Sequence, residues 1–397
     1  MFDQKDQLRR DMLSNPAIFQ YNVEGIKENM APCIHTSDRY NAIFGLDDFN
    51  KTIIHACSQK GQISGCAESA RIIRSADNGT RTPSDQWFLK IAKRTNSDEI
   101  LSCFSNLAAS NLQELFNLGI YKPDQPLDLA IDAHLISRYD KNFGVDLVRS
   151  KPKNGTSVFE RYVTIQCVTK NNRLTLGITY MPALENMADF VRKLIDFVHQ
   201  LGVKIGTLMM DREFFASSVM GALEDFGVTY LIPCKDTPGV IPRLAEFDAG
   251  KRAKISDSEI SGVAGTIPYT MIVTKRKKPK KPKKGKELLP HEKYIGFATN
   301  KPDLDVEEYA RRWGIETGYR MIENVRARTH SKDPVVRLLC FVYSVAFFNA
   351  WVMLNATLLY HTGIYTDDSL VTQQHQKNMT LFHYVFSKLP PEPPPTV

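Results

Sequence analysis

The stretch LDLAIDAH, residues 127–134, is a short apolar run that carries an acid, Asp132, in its interior. Runs of this length and composition read as strands. Two more, YVTIQCVT (162–169) and RLTLGITY (173–180), flank the polar turn Asn171–Asn172, so the three make a meander. Outward from them the period becomes helical over 184–201, with Leu184, Met187, Phe190, Val191, Leu194 and Val198 on one face. GTLMMD (206–211), a helix near 214–226 and VTYLIPC (228–234) follow. A meander followed by helix, strand, helix and strand is an α/β order that closes into a mixed sheet.

The flanking segments differ in texture. The first 120 or so residues read as helical. Pro83 after Thr82 marks one helix start, with Trp87, Phe88, Ile91 and Ala92 at helical spacing. Ser97, Asp98 and Glu99 open a second, striped by Ile100, Cys103, Phe104, Leu107 and Leu115. This pair reads equally as a helix-turn-helix, with Arg81, Lys90, Lys93 and Arg94 for phosphates, or as an ordinary helical hairpin. Residues 236–297 hold short alternating pieces, YTMIVTK (269–275) and KYIGFAT (293–299), around a lysine run. A helix is expected over about 305–327 and another over 335–360, before a tail ending in PPEPPP.

Composition narrows the class. The 397 residues are 43% hydrophobic and 24% charged, which excludes collagen-like, coiled-coil and wholly disordered chains. Seven cysteines without framework spacing fit a reducing compartment, and the early charges of MFDQKDQLRRDM do not read as a signal peptide. The net charge is +7, yet nine Lys or Arg fall between Lys275 and Lys286, and without them 42 basic residues face 44 acidic ones. The basicity is therefore one local device on a near-neutral body, suited to polyanion. KRKKPKKPKKGK reads best as a phosphate-binding arm that includes Lys277, Lys278, Lys280 and Lys281. A nuclear localisation signal and a solvated loop are the other readings.

Three carboxylates stand out by position. Asp132 lies inside one apolar strand and Asp211 ends another, and a buried carboxylate is costly unless something compensates it. A divalent cation does so, and hard oxygen ligands select Mg2+ or Mn2+. The third lies in EEYARRWGIETGYRMIE (307–323), where Tyr309, Arg312, Glu316, Arg320 and Glu323 are spaced three, four, four and three apart. Helical geometry puts all five on one stripe, offering a metal ligand, phosphate contacts and a stacking ring. A solvated face laced with salt bridges is the plainer reading of such a stripe.

These residues resemble the DDE transposases of the insertion-sequence-four type. The family signature of Tyr, two residues, Arg, three residues, Glu is met by Tyr309, Arg312 and Glu316, and MDREFF (210–215) resembles the segment around the second Asp. The signature's Lys, seven residues after the Glu, is replaced by Glu323, with Arg320 and Arg326 near enough to substitute. The resemblance implies an RNase H-like mixed-sheet core in two parts, 123–235 and 298–365, interrupted by the β-rich insertion 236–297. A helical DNA-binding region (1–122) precedes it and a tail (366–397) follows. It further implies two metal ions on Asp132, Asp211 and Glu316, cleavage and strand transfer on DNA, and a homodimer on paired ends. Tyr309, Arg312, Arg320 and Arg326 would contact DNA. The rival readings are a nuclease on the same core that does not join strands, and a decayed remnant that only binds DNA. The expected workplace is the cytoplasm, on the nucleoid.

Other features read more plainly. Leu338 to Tyr360 is an uncharged run of 23 residues, long enough to cross a bilayer. Ser344, Asn349, Asn355 and Thr357 make it a poor span and favour a buried helix. Cys33, His35, His55, Cys57 and Cys66 match no zinc module. His134 would share a strand face with Asp132 and border the site, or be structural. Asp128 and Glu213 are the acids most easily confused with the triad.

Overall fold

In the computed structural model, described over residues 16–36, 43–58, 69, 83–139, 147–168, 173–181, 186–277 and 287–362, LDLAIDAH opens the central strand β1, Leu127–Arg138. Leu129, Ala130 and Ile131 are fully buried, as expected of a strand covered on both faces. The meander carries one more strand than the three expected. β2 (Val148–Lys153) and β3 (Thr156–Cys167) form a hairpin through Asn154 and Gly155, at φ 54° and 78°. Two positive φ values in a two-residue loop give the turn whose twist matches that of paired strands. β4 (Thr175–Tyr180) pairs with β3, and the Asn171–Asn172 turn lies outside the described residues.

β3 runs antiparallel to β1 with Thr164 opposite Asp132. β5 (Ile205–Met210) then lies parallel to β1, and β6 (Thr229–Pro233) parallel to β5. Their crossovers are α5 (Met187–Gln200), started by the Asn186 side chain on the Ala188 amide, and α6 (Ser217–Asp225). An antiparallel meander followed by two parallel strands on the far side of its first strand is the RNase H-like arrangement.

The 236–297 segment contains α7 (Ile241–Asp248), β7 (Ile255–Gly262), β8 (Gly265–Lys275), the single turn α8 (Pro290–Lys293) and most of β9 (Tyr294–Thr299). β9 pairs with β6 and with β8, so the segment continues the central sheet, in the order β2-β3-β1-β5-β6-β9-β8-β7.

The helix expected over 305–327 is two pieces: a 3-10 segment, Val306–Arg312, and the α-helix α9, Trp313–Asn324. The tighter pitch of the first piece sets Tyr309 directly beneath Arg312, three residues on. α9 lies close on the sheet. A Cβ at Gly318 would come within 2.9 Å of the Gln166 side chain, so glycine is what this approach requires.

α10 (Pro334–Thr362) is the apolar helix of the sequence. Its Pro334–Thr357 stretch is long and apolar enough to cross a membrane, yet 94% of its 18-residue apolar window is buried inside the protein. The helices α1 (Pro16–Met30), α2 (Leu46–Ser58), α3 (Asp85–Ala92) and α4 (Ser97–Asn117) all pack on it, making one continuous core. Its Ser344, Asn349 and Asn355 side chains are hydrogen-bonded there. The Asn349 amide accepts from the Thr175 N–H at 3.0 Å and donates to the Thr175 carbonyl at 2.8 Å, continuing β4 as a strand would. α3 packs on α2 and α10. α4 carries three acids and no basic residue, the wrong charge for a helix lying on DNA, and packs against α1, α10 and β4.

Candidate active site

The carboxyl ends of parallel strands are where α/β sheets place ligands. Ile131 of β1 is registered against Met210 of β5. Asp132 and Asp211 are each the next residue, so the parallel pairing sets them side by side. Asp211 also starts the short 3-10 turn Arg212–Phe214, its carboxylate accepting the Arg212 N–H at 2.6 Å. Glu316 is in the first turn of α9, and Arg312 joins it to the strand. One guanidinium nitrogen donates to Asp132 Oδ2 at 3.1 Å and the other to Glu316 Oε1 at 2.5 Å.

The acids feel one another. Burial pushes the Asp132 carboxyl up to about 6, Arg312 and the Ala133 N–H pull it back, and the charges of Asp211 and Glu316 raise it further. Burial opposes the charge on Arg312, but Tyr309, Asp132, Asp211 and Glu316 hold its pKa above the ordinary value. The Tyr309 hydroxyl donates to the Met210 carbonyl at 3.1 Å, and its ring lies 5.5 Å from the Arg312 guanidinium carbon. Burial drives the Tyr309 phenol up, so it stays a neutral donor.

Tyr319 was not singled out in the sequence. Its hydroxyl donates to the Asp132 carbonyl at 2.7 Å and shares a 2.8 Å hydrogen bond with Thr164, fixing α9 against β1 and β3. The signal was available, because Tyr319 follows Glu316 by three residues, one helical turn. Trp313 was also missed. It is 60% exposed beside Arg312 and borders a cavity of about 310 Å³ with Phe297, Tyr309, Lys275, Arg276 and Lys277.

The remaining expected residues divide. Arg326 pairs with Glu323 at 2.9 Å, and Glu323 accepts from His134 Nε2 at 2.9 Å. Burial raises Glu323, but His134 and Arg326 outweigh it and hold the carboxyl below its ordinary value. Arg320 is exposed. Lys277 is exposed and paired with Glu307 at 2.6 Å, while Lys278, Lys280 and Lys281 lie outside the described residues. Asp128, the nearest decoy, is held by Arg311 at 2.8 Å and by the Thr207 N–H at 2.9 Å. Glu213 carries no link to the triad, its carbonyl accepting from Lys235. Cys33, Cys57, Cys103, Cys167, Cys234 and Cys340 are buried free thiols.

The Transposase DDE domain family matches residues 123–346, more than half the chain and all of the elements that carry the three acids. The chain belongs to that family. The match does not distinguish the insertion-sequence-four type within it. Among solved structures, this transposase resembles the cryo-EM structure of the piggyBac transposase synaptic complex with hairpin DNA. The TM-score is 0.48 at 13% identity, over 98% of this chain and 86% of that chain. No curated protein matches it.

Whether the site fits a divalent cation can be judged from its donors. Among the described residues no three His, Cys, Asp or Glu side chains are gathered closely enough to hold a metal as they stand. The Arg312 guanidinium lies between Asp132 and Glu316. The donor set itself is three hard carboxylates, one of them buried and raised by the other two, which suits Mg2+ or Mn2+.

Proposed function

We propose that this transposase binds the ends of a mobile DNA segment, cuts a phosphodiester there, and joins the freed end to target DNA. The observation that carries the reading is the side-by-side placement of Asp132 and Asp211 by the β1–β5 register, with Glu316 brought to them through Arg312. Asp132, Asp211 and Glu316 would hold the divalent cation. When bound it supplies Lewis-acid polarisation of the phosphodiester and a more acidic attacking hydroxyl or water.

The chain's own residues supply the rest. Arg312 donates to two of the acids. Turned toward substrate, its fork would grip a phosphate instead, with Tyr309 orienting the same group. Tyr319 holds the Asp132 backbone, so the carboxylate keeps its direction while charge changes around it. The exposed Trp313 ring and the Lys275–Lys277 edge extend the surface for the DNA strand. Glu323 at the family's Lys position is neutralised by its pair with Arg326.

The test is cleavage of DNA carrying the ends that flank the gene, with Mg2+ or Mn2+, comparing wild type with Asp211→Asn. The reading expects nicks at the element boundary and joined products, both lost in the variant by at least about a thousandfold. Nicks without joined products would leave a nuclease. Specific end binding without any nick would leave a DNA-binding remnant.

A further inference from the structure

β1 continues for six residues beyond Asp132 and ends at a second site-like feature. A cavity of about 420 Å³ opens there, bordered by Arg138, Tyr139, Arg326, Arg328, His330 and Arg337. Four guanidinium groups face a single lining carboxylate, Glu160, which is buried on the cavity wall between Arg138 and Arg337. Three of those arginines have carboxylate partners, Arg138 and Arg337 in Glu160 and Arg326 in Glu323. Arg138 also donates to the carbonyl of Ser331 at 2.9 Å, tying the α9–α10 connection to the strand. Arg326 is half-buried against Glu323, whereas Arg328 and His330 are exposed. The lining therefore keeps a net positive charge after its internal pairs are formed.

The cavity also offers a ring. Tyr139 is 70% exposed, and its position is fixed because its hydroxyl donates to the Asn154 carbonyl at 2.7 Å. An exposed aromatic held by a hydrogen bond at the mouth of a cationic cavity suits a group with a flat face and an anionic tail. A nucleotide has both, and base stacking on aromatic side chains is tolerant of sequence. Double-stranded DNA has its base faces covered by neighbouring pairs, so only an unpaired nucleotide could use the ring.

The location links this feature to the cleavage centre. At about 3.3 Å per strand residue, Arg138 lies about 20 Å along β1 from Asp132, roughly six base steps of duplex. Between them run His134, Glu323 and Arg326, on the face where α9 follows β1.

We propose that this cavity holds an unpaired nucleotide of the DNA, with its base on Tyr139 and its phosphate on Arg328 and Arg326. The inference rests on the reading of the chain as a DNA-cutting transposase. It adds that the enzyme favours DNA with a single-stranded stretch about six base steps from the cut. Such a stretch would be gripped by a subsite separate from the acidic centre.

The test is fluorescence anisotropy with the full chain and two labelled oligonucleotides of the same terminal sequence, one blunt and one with a short single-stranded overhang. Wild type should prefer the overhang, and Tyr139→Ala and Arg328→Gln should each reduce that preference about tenfold. Tyr139→Phe, which keeps the ring, should retain stacking. The Arg328→Gln salt slope on the overhang DNA should fall by about one. Equal affinity of wild type for both DNAs would overturn the proposal, as would variants that weaken both equally. Displacement of the overhang DNA by millimolar deoxynucleoside monophosphate, without an overhang preference, would reassign the cavity to a free nucleotide. Nicking of the blunt DNA is measured on the same preparations. A chain that nicks but shows no preference refutes this inference alone, whereas one that neither binds nor nicks refutes the transposase reading.

Discussion

Asp132 on β1 and Glu160 on β3 are carboxylates buried on neighbouring strands, and each faces arginine. Glu160 has two arginines of its own, Arg337 at 2.9 Å and Arg138 at 3.2 Å, and a third donor in the Tyr162 hydroxyl at 3.1 Å. Its side chain is 4% exposed. Asp132 has one arginine, shares it with Glu316, has two more acids within electrostatic reach, and is 15% exposed. The first carboxylate is deeply buried and more than neutralised. The second holds more negative charge than it neutralises and is the more exposed of the two, a condition that suits a cation.

The contrast can be broken by mutation, and the largest effect should be on DNA cleavage and folding in opposite places. Glu160→Gln leaves Arg138 and Arg337 without their counter-charge and should cost about 3–5 kcal/mol of stability in urea denaturation. Asp132→Asn should abolish cleavage while leaving stability at pH 7 unchanged or raised. A stable Glu160→Gln, or an Asp132→Asn that unfolds the chain, would erase the distinction.

The next effect concerns the carboxylates for which Arg312 and a cation would compete. Arg312→Ala exposes Asp132 and Glu316 to each other, so Mn2+ should bind about tenfold more tightly although cleavage is lost. Calorimetry on the variant reads this directly. Arg337→Ala should leave Mn2+ affinity alone and lower the melting temperature instead.

The pH dependence sharpens the same point. Asp132 is raised from its ordinary 3.8 to about 6, so the folded chain holds that proton more tightly than the unfolded one. The resulting stability is full below about pH 4 and is lost as pH rises to 6, of order 2–3 kcal/mol in the metal-free chain. Asp132→Asn should flatten that segment of the stability profile. Stabilisation by Mn2+ should appear over the same window, as the carboxyl gives up its proton.

Smaller effects follow from packing. Gly318→Ala should push α9 off Gln166, costing about 1–3 kcal/mol and slowing cleavage with it. Trp313→Ala, at an exposed ring, should change stability by less than about 0.5 kcal/mol and weaken DNA binding several-fold.

Much of this was legible in the sequence because the decisive residues sit on short regular elements. The apolar runs around Asp132 and Asp211 mark buried strands, and the Tyr309–Arg312–Glu316 spacing marks a helix face. What the spacing could not give was the change of pitch at Arg312, since both helix types satisfy a three-residue interval. Glu160 was invisible because its two arginines come from β1 and α10, 22 and 177 residues away in the chain. The continuity of the 236–297 segment with the central sheet was hidden for the same reason, as the β6–β9 pairing is long-range. What α4 packs against was hidden in the same way, though its lack of any basic residue was already readable.

The central claim is that Asp132, Asp211 and Glu316 form one cation site while Asp128, on the same strand face, does not belong to it. A Mn2+ titration followed by electron paramagnetic resonance tests it on wild type, Asp132→Asn, Asp211→Asn, Glu316→Gln and Asp128→Asn. The account predicts saturable binding in wild type and Asp128→Asn, weakened at least about tenfold in each of the other three. Binding that survives in those three variants, or that vanishes in Asp128→Asn, would contradict it.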